Sequence, residues 1–316
     1  MRAFNVPESG AQPVVSDLPV PEVTDGTVLV RVKSAALNAI DNSLTTGAMA
    51  AMMPHAYPLV VGRDAAGVVE AVGEGVDHVA VGDEVLGHVL LAPPIQAGTI
   101  AEYALFPAAS VAAKPAGLDF DRAAALPLAG AAALASVEAL DVRPGQVVLV
   151  TGATGGVGSY AVQLLAARGV TVVATGTAAD VDRLTGLGAT TVVDHTSGTP
   201  VAEQVTTSYP DGVDGLVDLV SYSPDGLALG AVRKGGKVAS TLGAADEQVL
   251  AEAGLTGSNI MAAPVREVLE PLAAQAAEGT LKVDVTTVLP LEQAADGLAT
   301  IAAGHARGKI IINVAD

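Results

Sequence analysis

Seven consecutive residues carry the clearest chemical signal. Gly152-Ala153-Thr154-Gly155-Gly156-Val157-Gly158 follow the apolar run Val147–Val150 and precede a stretch that opens on small residues. Glycines in this pattern permit a tight turn, let backbone amides approach a pyrophosphate and bring a helix close to a strand. The N-terminus of that helix then favours an anion. A glycine string by itself serves any strand-to-helix turn, but the strand, loop, helix, strand order around this one points to a dinucleotide held by Gly152, Ala153, Thr154, Gly155, Gly156 and Val157. The end of the second strand selects the nucleotide, because a carboxylate there would accept from a ribose 2′-hydroxyl and repel a 2′-phosphate. The chain reads Ala174-Thr175-Gly176-Thr177-Ala178, with no acid before Asp180. The Thr175 and Thr177 hydroxyls and Arg183 are therefore expected to receive the 2′-phosphate of NADPH, although Asp180 and Asp182 stand close and Arg183 could equally be a solvated helix residue. Leu242, just past the expected strand Lys237–Thr241, is a further cofactor contact. Ser221, Tyr222 and Ser223 read either as a cofactor edge or as a polar loop.

The elements that must position this loop alternate in the manner of a parallel sheet with crossover helices. Strands are expected at Val147–Val150, Val170–Ala174, Thr190–Asp194, Gly215–Val220 and Lys237–Thr241, and helices at Ser159–Arg168, Asp180–Leu187 and Pro224–Arg233, with a turn at Lys234-Gly235-Gly236. Right-handed crossovers make this a doubly wound domain. The first third is different in character. Val28–Lys33 alternates with period two, and further strands at Gly67–Val72, Glu84–Gly87 and Ile100–Phe106 are separated by glycine and proline turns, which describes a β-rich domain. Near Lys114-Pro115-Ala116-Gly117 the text turns alanine-rich and helical, from Asp121 through Leu140. After about Pro264 it gives one helix, Val265–Glu278, and short strands that end in Lys309–Val314.

Composition bounds what these elements can serve. A chain of 316 residues with 50% apolar content has room for two domains, and an aromatic share of 3% means that small aliphatic side chains fill their cores. The formal charge of −18 repels phosphate backbones and anionic membrane surfaces, so nucleic acid is not an expected partner. Zero cysteines exclude disulfides and every thiolate zinc site. The five histidines, at 55, 78, 88, 195 and 305, show no metal spacing and read as surface or loop residues. Residues 1–8 contain no apolar signal core, and the longest uncharged stretch, 144–167, is broken by glycines, so a cytoplasmic protein without a membrane span is expected.

Several segments carry a family resemblance across nearly the whole chain. Pro58-Leu59-Val60-Val61-Gly62-Arg63-Asp64-Ala65-Ala66-Gly67-Val68-Val69, Val72-Gly73-Glu74-Gly75-Val76 and Val81-Gly82-Asp83-Glu84-Val85 resemble the N-terminal domain of the medium-chain dehydrogenase/reductases. Gly98–Tyr103, Ala123–Gly130, the glycine loop, Leu187-Gly188-Ala189 and Arg307-Gly308-Lys309-Ile310 are similar to the zinc-free quinone oxidoreductase-like branch, that of zeta-crystallin. The resemblance implies an α/β protein in which a doubly wound Rossmann domain, 119–263, is inserted in a β-rich GroES-like substrate domain, 1–118 with 264–316. It also implies an active site in the cleft between domains, and a homodimer paired through the segment from Lys237 to Ala262.

The same resemblance supplies the expected site. Zinc-dependent relatives place a ligating cysteine near Asn38 and a Gly-His-Glu signature where this chain has Gly62-Arg63-Asp64, so no Lewis acid is expected. Asn38-Ala39-Ile40-Asp41 is similar to the family's turn beside the nicotinamide, which makes Asn38 and Asp41 orienting residues, or simply an Asx turn with a helix cap. Ser43 stands where some members have a tyrosine, and Ala132 where a threonine hydroxyl is usual, so a proton donor is not assured. The implied reaction is hydride transfer from NADPH to a small, apolar, electron-poor quinone or enone. Gly47–Tyr57 and Val89–Thr99 either line that substrate's pocket or pack as ordinary loops. A non-redox cyclisation or elimination on the same fold is the alternative.

Overall fold

The structure is a computed structural model that describes residues 1–304 and 306–314. Along the chain run β1 (Arg2–Val6), β2 (Val14–Asp17), β3 (Thr27–Ala36), α1 (Ala39–Thr45), β4 (Leu59–Val60), β5 (Asp64–Val72), β6 (Glu84–His88), β7 (Tyr103–Pro107), β8 (Val111–Ala113), α2 (Phe120–Ala125) and α3 (Pro127–Leu140). They continue as β9 (Val147–Thr151), α4 (Gly156–Ala167), β10 (Thr171–Gly176), α5 (Val181–Gly186), β11 (Thr191–Asp194), α6 (Val201–Ser208), β12 (Val213–Asp218), β13 (Val232–Ser240), α7 (Glu247–Glu252) and β14 (Thr256–Asn259). The last elements are α8 (Arg266–Glu278), β15 (Val285–Pro290), α9 (Ala294–Ala302) and β16 (Lys309–Asn313). Contacts divide the chain into residues 1–129 with 263–316, and residues 130–262.

The first of these units is β-rich, as its alternating runs require. One sheet has the order β15-β16-β3-β5-β6-β8, with β7 also pairing β3, and a second sheet has the order β2-β1-β4. The long strand β3 buries Val28, Val30 and Val32 on one face, and these pack with Phe4, Leu37, Val85, Phe106 and Ile312. Because β16 lies between β15 and β3, residues from both ends of the chain share one core.

The second unit is a six-stranded sheet of order β11-β10-β9-β12-β13-β14, parallel throughout. Central strand β9 is buried from Val148 through Thr151, as expected for a parallel strand covered on both faces. This is the doubly wound arrangement expected from the sequence.

The structure corrects several local expectations. The helical run Asp121–Leu140 is broken after Leu126, where Pro127 starts α3 without having a backbone N–H to leave unsatisfied. No helix forms over Pro224–Arg233. Two short 3-10 turns, Pro224–Gly226 and Leu229–Ala231, occupy it, because Val232 is already drawn into pairing with Val213. The expected turn at Lys234-Gly235-Gly236 is instead an irregularity inside β13, where Gly235 takes φ +79° and the register with β12 shifts. Helix α9 forms where only short strands are expected, and Leu291, Ala294 and Leu298, all buried, recur there at helical spacing.

A candidate dinucleotide loop and a buried polar cluster

In the parallel-sheet unit the loop leaves β9 at Gly152, whose φ of +71° favours glycine. Its N–H donates to Thr175 Oγ1 at 3.0 Å, so the end of β10 braces the turn. Gly155 caps α4, and its N–H donates to Gly152 O at 3.1 Å. The next amides belong to the first turn of a 12-residue helix and lack partners one turn back. A Cβ on Gly158 would lie 2.3 Å from Gly152 O and 2.6 Å from Ala153 Cα, so the close approach of helix to loop demands glycine there. A Cβ on Gly155 would meet only Gly152 O, at 3.5 Å. The protein needs glycine at 158 for its own packing, whereas at 155 it leaves room for something else. Ala153 is fully buried, Thr154, Gly156 and Val157 are half-buried, and the set can present backbone donors to an anion.

Around the loop the candidates fall into different roles. Thr175 is buried and spends its hydroxyl oxygen on Gly152. Thr177 donates both its N–H, at 3.0 Å, and its hydroxyl, at 2.7 Å, to Asp180 Oδ2. That carboxylate is thereby folded inward. Arg183 reaches back across the loop, with Nη1 donating to Thr154 O at 3.1 Å, which brings a guanidinium to the expected phosphate region. Leu242 is half-buried just after β13. Ser221 donates its hydroxyl to the buried Asp218 at 2.9 Å, while Tyr222 is exposed.

The other unit holds a cluster that the sequence only partly announced. Asp64, at the start of β5 and fully buried, is its hub. Its carboxylate accepts from Asn38 Nδ2 at 2.9 Å, from His88 Nδ1 at 2.7 Å and from the Leu128 N–H at 3.2 Å. Thr99 donates its hydroxyl to the Asp64 carbonyl at 3.0 Å. Asn38 Oδ1 in turn accepts from Lys309 Nζ at 2.7 Å, and the same ammonium donates to Leu37 O at 3.0 Å. Each end of the Asn38 amide is therefore fixed. Asp41 Oδ2 accepts from the Asn38 N–H at 2.8 Å, as a residue in the first turn of α1 can, while its Oδ1 is buried without a partner among the described residues. Arg63 is buried as well, with Nη2 donating to Ala97 O at 2.5 Å and to Val60 O at 3.3 Å. Ser43, half-buried on α1, takes no part in this network.

Burial dominates the electrostatics of the cluster. It pushes the Asp41 carboxyl up to about 6, helped by the nearby Asp64 charge and opposed by Arg63, the Asn38 amide and Lys309. Burial lowers Lys309 against the pull of Asp64 and Asp41, and lowers Arg63 against the same two carboxylates. Two acids and two bases so share one water-poor site, with an imidazole beside them.

Histidine 88 corrects an expectation, being neither a surface nor a loop residue: it ends β6 opposite Asp64. The nearest signal was its place in the strand Glu84–His88, one residue beyond the expected strand end. His55 lies edge-on to Tyr57, His78 bonds Val111 O, His195 bonds Gly176 O, and His305 lies outside the described residues. Lys309 lies in the motif Arg307-Gly308-Lys309-Ile310, and nothing in a strand reading Lys-Ile-Ile-Ile says that its lysine turns inward.

Zinc does not suit this cluster. An amide at 38 and a guanidinium at 63 are no zinc donors, and Lys309 sets a further cation against the Asn38 oxygen. Among the described residues no group of three or more His, Cys, Asp or Glu could hold a metal ion. No helix among them is long and apolar enough to cross a membrane.

Residues 24–116 match the model of the alcohol dehydrogenase GroES-like domain, and residues 187–312 that of a family described as zinc-binding dehydrogenase. The chain is 31% identical over 306 residues to the chloroplastic NADPH-dependent alkenal/one oxidoreductase of Arabidopsis thaliana, covering 94% of this chain and 74% of the relative. Among solved structures it is similar to one described as an NAD-dependent alcohol dehydrogenase, with TM-score 0.89, 32% identity and 100% of both chains covered. It is also similar to the quinone oxidoreductase of Coxiella burnetii, with TM-score 0.87, 25% identity, and 99% of this chain and 98% of that one covered.

Proposed function

This chain belongs to the medium-chain dehydrogenase/reductase superfamily, and from that membership we propose that it transfers a hydride, without zinc, from NADPH to a quinone or an α,β-unsaturated carbonyl compound. The observation that carries the reading is the cluster at Asp64. Where zinc-dependent relatives have metal ligands, this chain has Asn38 and Arg63 bound into a network of buried donors and cations, beside an imidazole. Such a site can orient a carbonyl and answer developing negative charge, and it has nothing with which to activate an alcohol as a metal would. Conjugated acceptors, which disperse charge through their own double bonds, suit it.

The glycine loop fits a dinucleotide. In the proposal the amides from Gly155 to Val157 hold its pyrophosphate, and Gly152, Ala153 and Thr154 shape the turn beneath it. Bound there, the nicotinamide supplies the hydride. Preference for NADPH is supported by the inward turn of Asp180, which withdraws the carboxylate a ribose 2′-hydroxyl would use, and by Arg183 at the loop. Thr175 and Thr177 serve in this reading as braces of the loop and of Asp180. Asn38 and Asp41 orient the reacting groups, Ser43 lines the substrate side, and Leu242 packs against the nicotinamide.

Anaerobic mixing with NADPH and a panel of naphthoquinones and enones should oxidise the nucleotide, with NADH slower, and Arg183→Ala should erase most of that preference. Calorimetry that finds no nucleotide binding would overturn the reading. A homodimer paired through β14 is part of the proposal: this edge strand is exposed at all four positions and precedes Met261, 86% exposed.

A further inference from the structure

We propose that His88 is the proton donor of the reaction, held for that task by Asp64. The inference rests on the reductase reading above, which leaves one requirement open. Adding a hydride to the β carbon of an enone leaves its electron pair on the α carbon and carbonyl oxygen as an enolate. A proton must arrive at the α carbon to complete the reduction.

The cluster offers three groups that could carry that proton, and geometry separates them. Lys309 is fully committed and buried, with Nζ donating to Leu37 O and Asn38 Oδ1. Asp41 is fully buried and bound to the Asn38 amide. Asp41 Oδ1 is unengaged too but sealed at 0% exposure, whereas His88 pairs a fixed end with an unengaged one that is not. Its Nδ1 lies 2.7 Å from Asp64 Oδ1, and Nε2 makes no hydrogen bond among the described residues. The side chain is 5% exposed, so the ring is not sealed in. An ionised Asp64 can only accept, which fixes Nδ1 as the donor and leaves Nε2 for an exchangeable proton. A carboxylate behind an imidazole that holds tautomer and orientation is the arrangement by which histidines act as acids and bases in many unrelated enzymes.

Charge points the same way. A proton given up by Lys309 would leave a buried carboxylate without its counter-charge, whereas His88, in direct contact with Asp64, becomes neutral on giving one up. Asp64 is itself held by Leu128 N–H and Asn38 Nδ2, which ties the ring to the amide expected beside the nicotinamide. His88 also stands immediately before Val89–Thr99, a segment that by its sequence either lines the substrate's pocket or packs as an ordinary loop. In the proposed step the Nε2–H bond of protonated His88 breaks as the new Cα–H bond forms. The enolate pair becomes that bond, the imidazole is left neutral, and solvent returns its proton.

The test is His88→Asn in the full chain, since an asparagine amide can still donate to Asp64 while carrying no acid. With an α-substituted cyclic enone in deuterated water, the wild type should place deuterium on one face of the α carbon. H88N should turn over about a hundredfold slower or worse and label both faces, with NADPH affinity changed by only a few-fold. Nitrogen NMR of the nucleotide-free protein should show neutral His88 protonated on Nδ1, a preference lost in Asp64→Asn. Wild-type enone turnover with one-faced labelling in H88N would overturn the proposal and, since that turnover still requires hydride transfer, would leave the reductase reading standing. A wild-type protein that reduces neither acceptor would overturn the reductase reading itself.

Discussion

The glycine loop and the cluster at Asp64 reach their chemistry by opposite routes. The loop works through backbone: its useful groups are amides, and what shapes it is the absence of side chains at 152, 155 and 158. The cluster works through side chains from five separate stretches of chain, brought together where water is scarce. One is local and tolerant of the rest of the sequence, while the other exists only once distant segments have met. It follows that damage should look different in the two places, with binding lost first at the loop and folding lost first at the cluster.

The largest effect is expected at Lys309. Lys309→Met removes a buried cation, leaves Asn38 Oδ1 and Leu37 O without their donor, and exposes two buried carboxylates to each other. Breaking a buried charge network from one side costs about 3–5 kcal/mol, to be read as a lower urea midpoint. A variant as stable as the wild type would mean that the network is dispensable and the contrast with the loop false.

The pH dependence is next in size. Asp41 goes from 3.8, its ordinary value, up to about 6 in the fold, so the native state holds this proton more tightly than the unfolded chain does. Its contribution to stability is present below about pH 4 and is lost as pH rises through 6, amounting to up to about 3 kcal/mol. That trend opposes the usual loss of stability in acid. Asp41→Asn should flatten this part of a stability profile recorded from pH 4 to 7. An unchanged slope would place the titration elsewhere.

The loop gives the smallest change in stability and the cleanest change in binding. Gly158→Ala drives a methyl group into Gly152 O and should cost about 1–3 kcal/mol through overpacking. Gly155→Ala has room for its methyl and a φ of −77°, so it should leave urea stability within about 0.5 kcal/mol. NADPH affinity should nevertheless drop at least tenfold in calorimetry. Equal affinity in Gly155→Ala would mean that the open space at 155 is not where the phosphates lie.

The same contrast explains what could be read from the residues. The order of strands and helices around Gly152–Gly158 was legible because its signals are local: an apolar run, a glycine loop, a small-residue helix start. Asn38, Asp41, Arg63 and Asp64 were legible as family positions, but the partners that give them meaning were not. His88 reads as one polar residue at a strand end, and Lys309 as the polar start of an apolar strand. Their inward orientation is decided by the Asp64 carboxylate 24 positions from His88 and by the Leu37 and Asn38 oxygens 272 and 271 positions from Lys309, which no local pattern records. The failed helix at Pro224–Arg233 has the same cause, since the pairing of Val232 with Val213 outweighed local preference.

The position of β16 also sets a timetable for biosynthesis. Lys309 meets Asn38 across 271 residues, and β16 fills the gap between β15 and β3. A ribosome delivers residues 130–262 as one uninterrupted stretch, which can close its parallel sheet while the surrounding unit still lacks a strand. Until β16 emerges, Asp41 and Asp64 lack one of their two buried cations, and the edge of β3 at Ser34, Ala35 and Ala36 stands open. The nascent chain thus carries an incomplete site and an open strand edge from the synthesis of Asn38 to that of Lys309, the interval in which a chaperone would matter most.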